Sequence, residues 1–236
     1  MNKSHIWFDL GYTLVYLDRE KKLQQILKEE GYEFNKKEIS RAFHLADKHF
    51  MKEFPGILGG NPENFLPWYM SVLTHFLGLR INTVNIAKKF YEKQYNLKPE
   101  EQWIAYPGIH EKLEKLKDNS LTLGIISNWN HTARRVIKHN NFTKYFDNII
   151  ISSEVDYEKP DPRIFNIAFE KAGVEPEQCI YIGDNYYDDC IGSIRVGMDC
   201  LIINPYDKLG MEEVKDCDII TDISEIFEYI PEDNKN

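Results

Sequence analysis

No apolar run in this chain approaches the roughly 20 residues that a membrane-crossing helix requires, so no such helix is expected. The amino-terminal stretch Met1-Asn2-Lys3-Ser4-His5 likewise lacks the apolar segment of a secretory signal. Basic residues are in deficit, with 29 Lys and Arg against 38 Asp and Glu and a formal net charge of −9. A general nucleic-acid binder needs clustered Lys and Arg to neutralise phosphates, so the charge argues against that class, although a local basic pocket for one phosphate is compatible with an acidic surface. Cysteine is scarce. Cys179, Cys190, Cys200 and Cys217 form no CxxC pair and have no His at zinc spacing, and they read as small buried hydrophobes in a reducing cytoplasm. Internal repeats and low-complexity segments are missing. What is there is an ordinary globular composition, 42% hydrophobic and 28% charged over 236 residues, enough for a core without covalent staples. A cytoplasmic location is the expectation, as a monomer or a homodimer.

From about residue 106 to 223 the pattern alternates helix and strand. Pro107-Gly108 opens a helix whose Ile109, Leu113 and Leu116 share a face. Leu121 to Ile126, Asn148 to Ile151, Ile180 to Ile182, Cys200 to Ile203 and Cys217 to Ile220 are short apolar strands. Helices fall between them, over 131–139, from the Asp161-Pro162 cap to Gly173, and over 188–196 closed by Gly197. Short apolar strands with intervening helices predict an α/β fold, a parallel sheet covered on both faces. His5 to Asp9 belongs to that sheet. Residues 17–97 show helical patterns only, with linkers near Val15-Tyr16 and Lys98 to Tyr106. The predicted division is therefore a core of 1–15 and 98–236 around a helical insert of 16–97. The polar tail Pro231 to Asn236 is expected to fray.

Sites in parallel sheets lie beyond the carboxyl ends of the strands. Four stations of polar residues fall there. Asp9 follows Ile6-Trp7-Phe8. On its own an Asp after a strand is more often a cap or loop carboxylate, but the apolar run before it and Thr13 after it favour a buried, oriented group able to attack phosphorus. Ser127-Asn128 ends Leu123-Gly124-Ile125-Ile126, a place where both residue types favour turns; facing Asp9 they offer a hydroxyl and a backbone N–H to phosphoryl oxygens. Lys159 precedes Pro160 and Pro162, which stiffen its loop. A surface lysine is the alternative to a point charge that holds a carboxylate and a phosphate together. Gly183-Asp184-Asn185-Tyr186-Tyr187-Asp188-Asp189 crowds carboxylates after an apolar strand, either as a solvated turn or around a hard cation. The combined inventory suits phosphoryl transfer assisted by a divalent cation.

In order and spacing the four stations resemble the haloacid dehalogenase (HAD) superfamily of phosphohydrolases, from Ile6 to about Ile203. The insert matches the position and helical character of the small cap in that superfamily's type I branch. The resemblance implies a Rossmann-like parallel sheet core and an inserted α-helical cap domain. It implies Asp9 as nucleophile and Mg²⁺ ligand, Ser127, Asn128 and Lys159 around the phosphoryl group, and Asp184 as a direct Mg²⁺ ligand. Asp189 would stand behind it through water or a hydrogen bond, and the backbone carbonyl of Gly11 would be the third protein oxygen on the metal. The implied substrate is a small phosphorylated metabolite, with the cap deciding which one. His44, Lys48, His49, Trp68 and Tyr69 are the cap residues to inspect, although His44 and Lys48, four apart, read as a solvated face and the aromatics as core or interface.

One position departs from the pattern. Phosphatases of the superfamily carry a second Asp two residues after the nucleophile, as proton donor and base. Here that residue is Gly11, followed by Tyr12 where Gly is usual. Its loss, for a role typically worth ~10²–10⁴-fold, implies slow turnover of ordinary monoesters, a substrate with a good leaving group, or a surrogate from the cap or Tyr12. Two rival readings follow: a HAD-fold binding or regulatory protein with weakened catalysis, favoured by Gly11, and a 2-haloacid dehalogenase, disfavoured by the Asp184–Asp189 cluster.

Overall fold

The computed structural model describes residues 3–230; the readings of Met1-Asn2 and of the tail from Pro231 concern residues outside that range. The chain forms two compact units, Met1–Tyr16 with Ile104–Asn236, and Leu17–Trp103. The observed insert ends six residues later than residue 97, because Pro99–Gln102 forms one further helical turn.

In chain order, β1 (His5–Phe8) opens the first unit, and β2 (Val15–Leu17) leads out of it. The second unit holds α1 (Glu20–Glu29), α2 (Lys36–Glu53), α3 (Pro62–Phe76), α4 (Thr83–Gln94) and the short α5 (Pro99–Gln102). Asn35, Asn61 and Asn82 cap α2, α3 and α4 by accepting hydrogen bonds from first-turn N–H groups, each such cap worth about 1 kcal/mol. The apolar faces read from the sequence meet in one core, where Leu23, Ile26, Phe43, Phe50, Leu73 and Phe90 are almost wholly buried. A polar cluster lies among them. Asp47 accepts from the guanidinium of Arg19 and, at 2.5 Å, from the hydroxyl of Tyr69. Lys48 is buried rather than solvated, so the expected exposed His44–Lys48 face is not what forms. Its ammonium sits 3.9 Å from the Met51 sulfur.

The chain returns through β3 (Trp103–Ala105), which pairs with β2. Then follow α6 (Ile109–Asp118), β4 (Thr122–Ser127), α7 (Ala133–His139), β5 (Asn148–Ile151), α8 (Ser152–Val155) and α9 (Pro162–Ala172). The last elements are β6 (Cys179–Gly183), a wide π-helical turn at Tyr186–Cys190, α10 (Ile191–Arg195), β7 (Asp199–Ile203) and β8 (Asp218–Ile220). Six strands make one parallel sheet in the order β5-β4-β1-β6-β7-β8. Its central strands are buried on both faces, which is why their sequences run as unbroken apolar stretches rather than alternating. The connection leaves β1 toward β4 and β5 on one side and comes back to β6 on the other. The crevice at the carboxyl end of β1 is therefore a topological switch point, where such sheets place their sites.

Gly124 shows how tightly the sheet is packed. It pairs with Trp7 in the β1–β4 register, and a Cβ built on it would stand 2.4 Å from the Trp7 ring. Trp7 is 1% exposed and has no room to retreat. Gly124→Ala is expected to destabilise the protein by about 1–3 kcal/mol, as overpacked cores do. The urea midpoint of purified wild type and variant measures this, and equal midpoints would show that the ring can move.

Candidate active site

Asp9 is the residue immediately after β1, and its N–H donates to the carbonyl of Ile182 on β6, 2.8 Å away. This extends the ladder by one residue and sets the carboxylate at the strand mouth. Lys159 comes from the loop before α9. Its ammonium, 3% exposed, donates to Asp9 Oδ1 at 2.8 Å, to Asp189 Oδ1 at 2.6 Å and to the hydroxyl of Tyr181 at 2.7 Å. An ammonium has three N–H bonds, and here each has an acceptor. Burial opposes its charge, but the carboxylates of Asp189 and Asp9 outweigh that and hold the Lys159 pKa above its ordinary value.

The loop carrying Lys159 is clasped by Asn128. The Asn128 side-chain oxygen accepts from the Lys159 N–H at 2.7 Å, and its amide donates to the Lys159 carbonyl at 2.9 Å. The Asn128 side chain is thus committed to positioning, and its backbone N–H is what it can offer a ligand. Ser127, buried at the end of β4, lies beside it. The Lys159–Pro160 peptide is cis, and Asp161 caps α9 through the Arg163 N–H as its sequence predicts.

Gly183 ends β6, and Asp184 follows, half-buried. Asp189 then folds back over the strand end, and a Cβ on Gly183 would come within 2.1 Å of Asp189 Oδ2. Both Asp189 oxygens are occupied, Oδ1 by Lys159 and Oδ2 by the N–H of Asn185 at 2.9 Å. The Asp189 carboxylate is thus held at both oxygens by groups of the protein. Asn185 shapes the turn, and its amide donates to Asp188 Oδ2 at 2.7 Å.

Two residues of this site were not picked out individually from the sequence. Tyr181 receives Lys159 and donates to the Ile126 carbonyl at 2.6 Å. Its signal was a phenol within an otherwise aliphatic, fully buried strand. Asp188 was treated only as one of a cluster. Burial, then the charge of Asp189, push its carboxyl up to about 7, against the pull of Lys159.

Two carboxylates, Asp9 and Asp189, meet the Lys159 ammonium, and Asp184 and Asp188 lie in the turn that carries Asp189. The carboxylates are hard oxygen donors, the kind that suits a hard divalent cation such as Mg²⁺. Asp9, Asp184 and Asp189 are not drawn tightly together. Among the described residues, the group of metal-ligating side chains whose atoms all lie within 4.8 Å is a different one, Cys190, Cys200 and Cys217. Gly11 lies in the loop after Asp9 and bridges to Val15, while Tyr12 adopts the left-handed backbone at φ 52°, a conformation natural to glycine.

Comparison with known proteins bears on this site. Residues 6–203 match the family model of haloacid dehalogenase-like hydrolases. The chain is 30% identical over 140 residues to glyceraldehyde 3-phosphate phosphatase of Methanothermobacter thermautotrophicus, covering 53% of this chain and 58% of that protein, less than two thirds of its length. It is 25% identical over 183 residues to haloacid dehalogenase-like hydrolase domain-containing protein 3 of Xenopus laevis, covering 75% of this chain and 74% of that one. Among solved structures, the magnesium-bound HAD hydrolase YfnB of Bacillus subtilis is similar in fold, with a TM-score of 0.63 at 18% identity over 97% of this chain and 99% of that chain.

The raised Asp188 carboxyl has a pH signature. Its folded pKa of about 7 exceeds the ordinary value of 3.8, so the folded state holds the proton more tightly. The associated stability is present in full below pH 3.8 and is lost as pH rises toward about 7. Asp188→Asn, which cannot ionise, should therefore gain on wild type between pH 5 and pH 8 in EDTA, by on the order of 1–3 kcal/mol. Millimolar Mg²⁺ should shrink the gain. Urea denaturation of both proteins at the two pH values measures it, and a variant-to-wild-type difference independent of pH would mean that Asp188 is ionised throughout.

Proposed function

The chain belongs to the haloacid dehalogenase-like hydrolase family, and we propose that it is a Mg²⁺-dependent phosphatase of a small phosphorylated metabolite working through an aspartyl-phosphate. The observation that carries this reading is the Lys159 ammonium joining Asp9 to Asp189 at the mouth of the parallel sheet. With Oδ1 of Asp9 held by Lys159, Oδ2 attacks phosphorus. The bond from phosphorus to the leaving oxygen breaks, its electron pair stays on that oxygen, and a proton is taken up there. Water then attacks the phosphorus of the acyl phosphate, loses its proton to solvent and releases phosphate, regenerating the Asp9 carboxylate. Asp9, Asp184 and the Gly11 carbonyl would hold Mg²⁺, whose charge offsets that of the phosphoryl oxygens. Ser127 and the N–H of Asn128 donate to those oxygens, and Lys159 reaches them by exchanging one of its three acceptors. The named activity of the methanogen relative supports a small phosphorylated metabolite as substrate class.

Gly11 is the specific observation that favours a second reading, a HAD-fold binding or regulatory protein with weakened catalysis. Hydrolysis of p-nitrophenyl phosphate with and without Mg²⁺ separates the two, and a halide-release assay covers dehalogenation. In the phosphatase reading Asp9→Asn abolishes turnover while the fold persists, because an amide is neither nucleophile nor a good Mg²⁺ ligand. Activity within about tenfold of wild type, far above what loss of a covalent nucleophile allows, would remove Asp9 from that role.

A chain without the second carboxylate should favour leaving groups that need little protonation. Acetyl phosphate and p-nitrophenyl phosphate are expected to outrun glycerol phosphate by about 10²-fold or more in kcat/KM. Gly11→Asp should narrow that gap by speeding the alkyl ester most. The left-handed residue of the loop is Tyr12, so the added side chain falls outside the strained position. Equal rates on all three substrates, with chemistry limiting, would show that another group, Tyr12 first, supplies the proton.

A further inference from the structure

Three of the four cysteines converge although nothing in their spacing announces it. Cys190 ends the π-helical turn, Cys200 lies on β7 paired with Tyr181, and Cys217 immediately precedes β8. Their sulfurs all lie within 4.8 Å of one another. Cys190 and Cys200 are buried, and Cys217 is half-buried. An open cleft beside them is lined by Cys200, Cys217, Asp216 and Lys215.

We propose that Cys190, Cys200 and Cys217 form a thiolate site for a soft d¹⁰ cation, Zn²⁺, separate from the Asp9–Asp184 site. A zinc–sulfur bond of about 2.3 Å sets tetrahedral sulfurs roughly 3.8 Å apart, so the three thiols need to close by no more than about 1 Å. Cys217, the most exposed of them, has the freedom to do so. Its thiol now points weakly at the Cys200 carbonyl, 3.5 Å away, a contact easily exchanged for a metal bond. A disulfide, with its sulfurs about 2.05 Å apart, would use two of the three and leave the third unexplained. Thiolates select soft cations over Mg²⁺, so Mg²⁺ does not compete for the cysteine site.

As each S–Zn bond forms, the thiol gives its proton to solvent. Three thiolates and Zn²⁺ sum to a single negative charge, and Lys215 on the same cleft has the opposite sign. The cleft leaves room for a fourth ligand, water or the Asp216 carboxylate. The Tyr186 hydroxyl is 2.8 Å from Asp216 Oδ1 and 3.0 Å from Oδ2, holding that carboxylate in place. Because Cys190 directly follows Asp189, a bound Zn²⁺ anchors the far end of the turn whose carboxylate pairs with Lys159. The inference does not depend on the phosphatase reading, since it needs neither Asp9 nor turnover.

Chelator-treated full-length protein is titrated with Zn²⁺ in competition with a chromophoric chelator, and with Co²⁺ followed in the near ultraviolet. One equivalent of Zn²⁺ per chain, a raised melting temperature and a thiolate-to-cobalt charge-transfer band are expected. Cys217→Ser should weaken Zn²⁺ binding by about 100-fold or more, whereas Asp184→Asn should leave it unchanged. Failure to bind Zn²⁺ at micromolar concentration, unchanged affinity in Cys217→Ser, or a cobalt spectrum without the thiolate band would overturn the site. If Cys217→Ser does not fold, the cobalt spectrum of the wild type decides alone.

Discussion

Everything at the mouth of the sheet depends on one buried ammonium. Lys159 is wholly enclosed, and such a charge persists only if its partners compensate for the lost water. Here they do so with complete stoichiometry, three donors to Asp9, Asp189 and Tyr181. Each partner needs its own support. Asp189 reaches Lys159 because Gly183 has no Cβ to block it. Tyr181 is fixed by the Ile126 carbonyl, and Asn128 clasps the Lys159 backbone on both sides. The ammonium therefore ties β1, β4, β6 and the loop before α9 to a common point, and a change in any of these elements is felt at Asp9.

The same arrangement leaves a surplus of negative charge. One cation stands against two carboxylates, Asp9 and Asp189, and Asp188 lies next to Asp189. Burial first, and then the charge of Asp189, push the Asp188 carboxyl up to about 7. A divalent cation bound there would relieve that repulsion. The loop after Asp9 contributes backbone rather than charge. Tyr12 takes a left-handed conformation that costs a non-glycine residue on the order of 1 kcal/mol, and Gly11 beside it has no side chain to transfer a proton.

The strands were legible because each is buried on both faces and must be apolar throughout. Asn148–Ile151 agrees residue for residue, and Thr122–Ser127 and Cys179–Gly183 differ from expectation by one residue at each end, as strand ends depend on pairing partners. The short β2 and β3 strands were not legible, since three residues carry too little periodicity. Lys48 misled because helical spacing places it near His44 without telling which neighbours cover its stem. The individual parts taken by Tyr181 and Asp188 were hidden for a related reason: a phenol in a strand, or one Asp among three, gains its role only from what stands opposite it.

The sequence by itself determined the parallel α/β core, the helical insert and the stations at the strand ends, since these follow from hydrophobic period and from polar residues abruptly ending apolar runs. Tertiary structure alone decided which of those polar groups touch. That Asn128 spends its side chain on the Lys159 backbone, and that Asp189 turns inward to Lys159, depends on distances across the sheet between residues 31 and 30 positions apart. The three cysteines are the clearest case. Spacings of ten and seventeen residues match no metal-binding motif, yet the parallel crossovers from β6 to β7 and from β7 to β8 each return the chain to the same edge of the sheet. Side chains distant in sequence become neighbours because strand pairing, not local pattern, sets their separation.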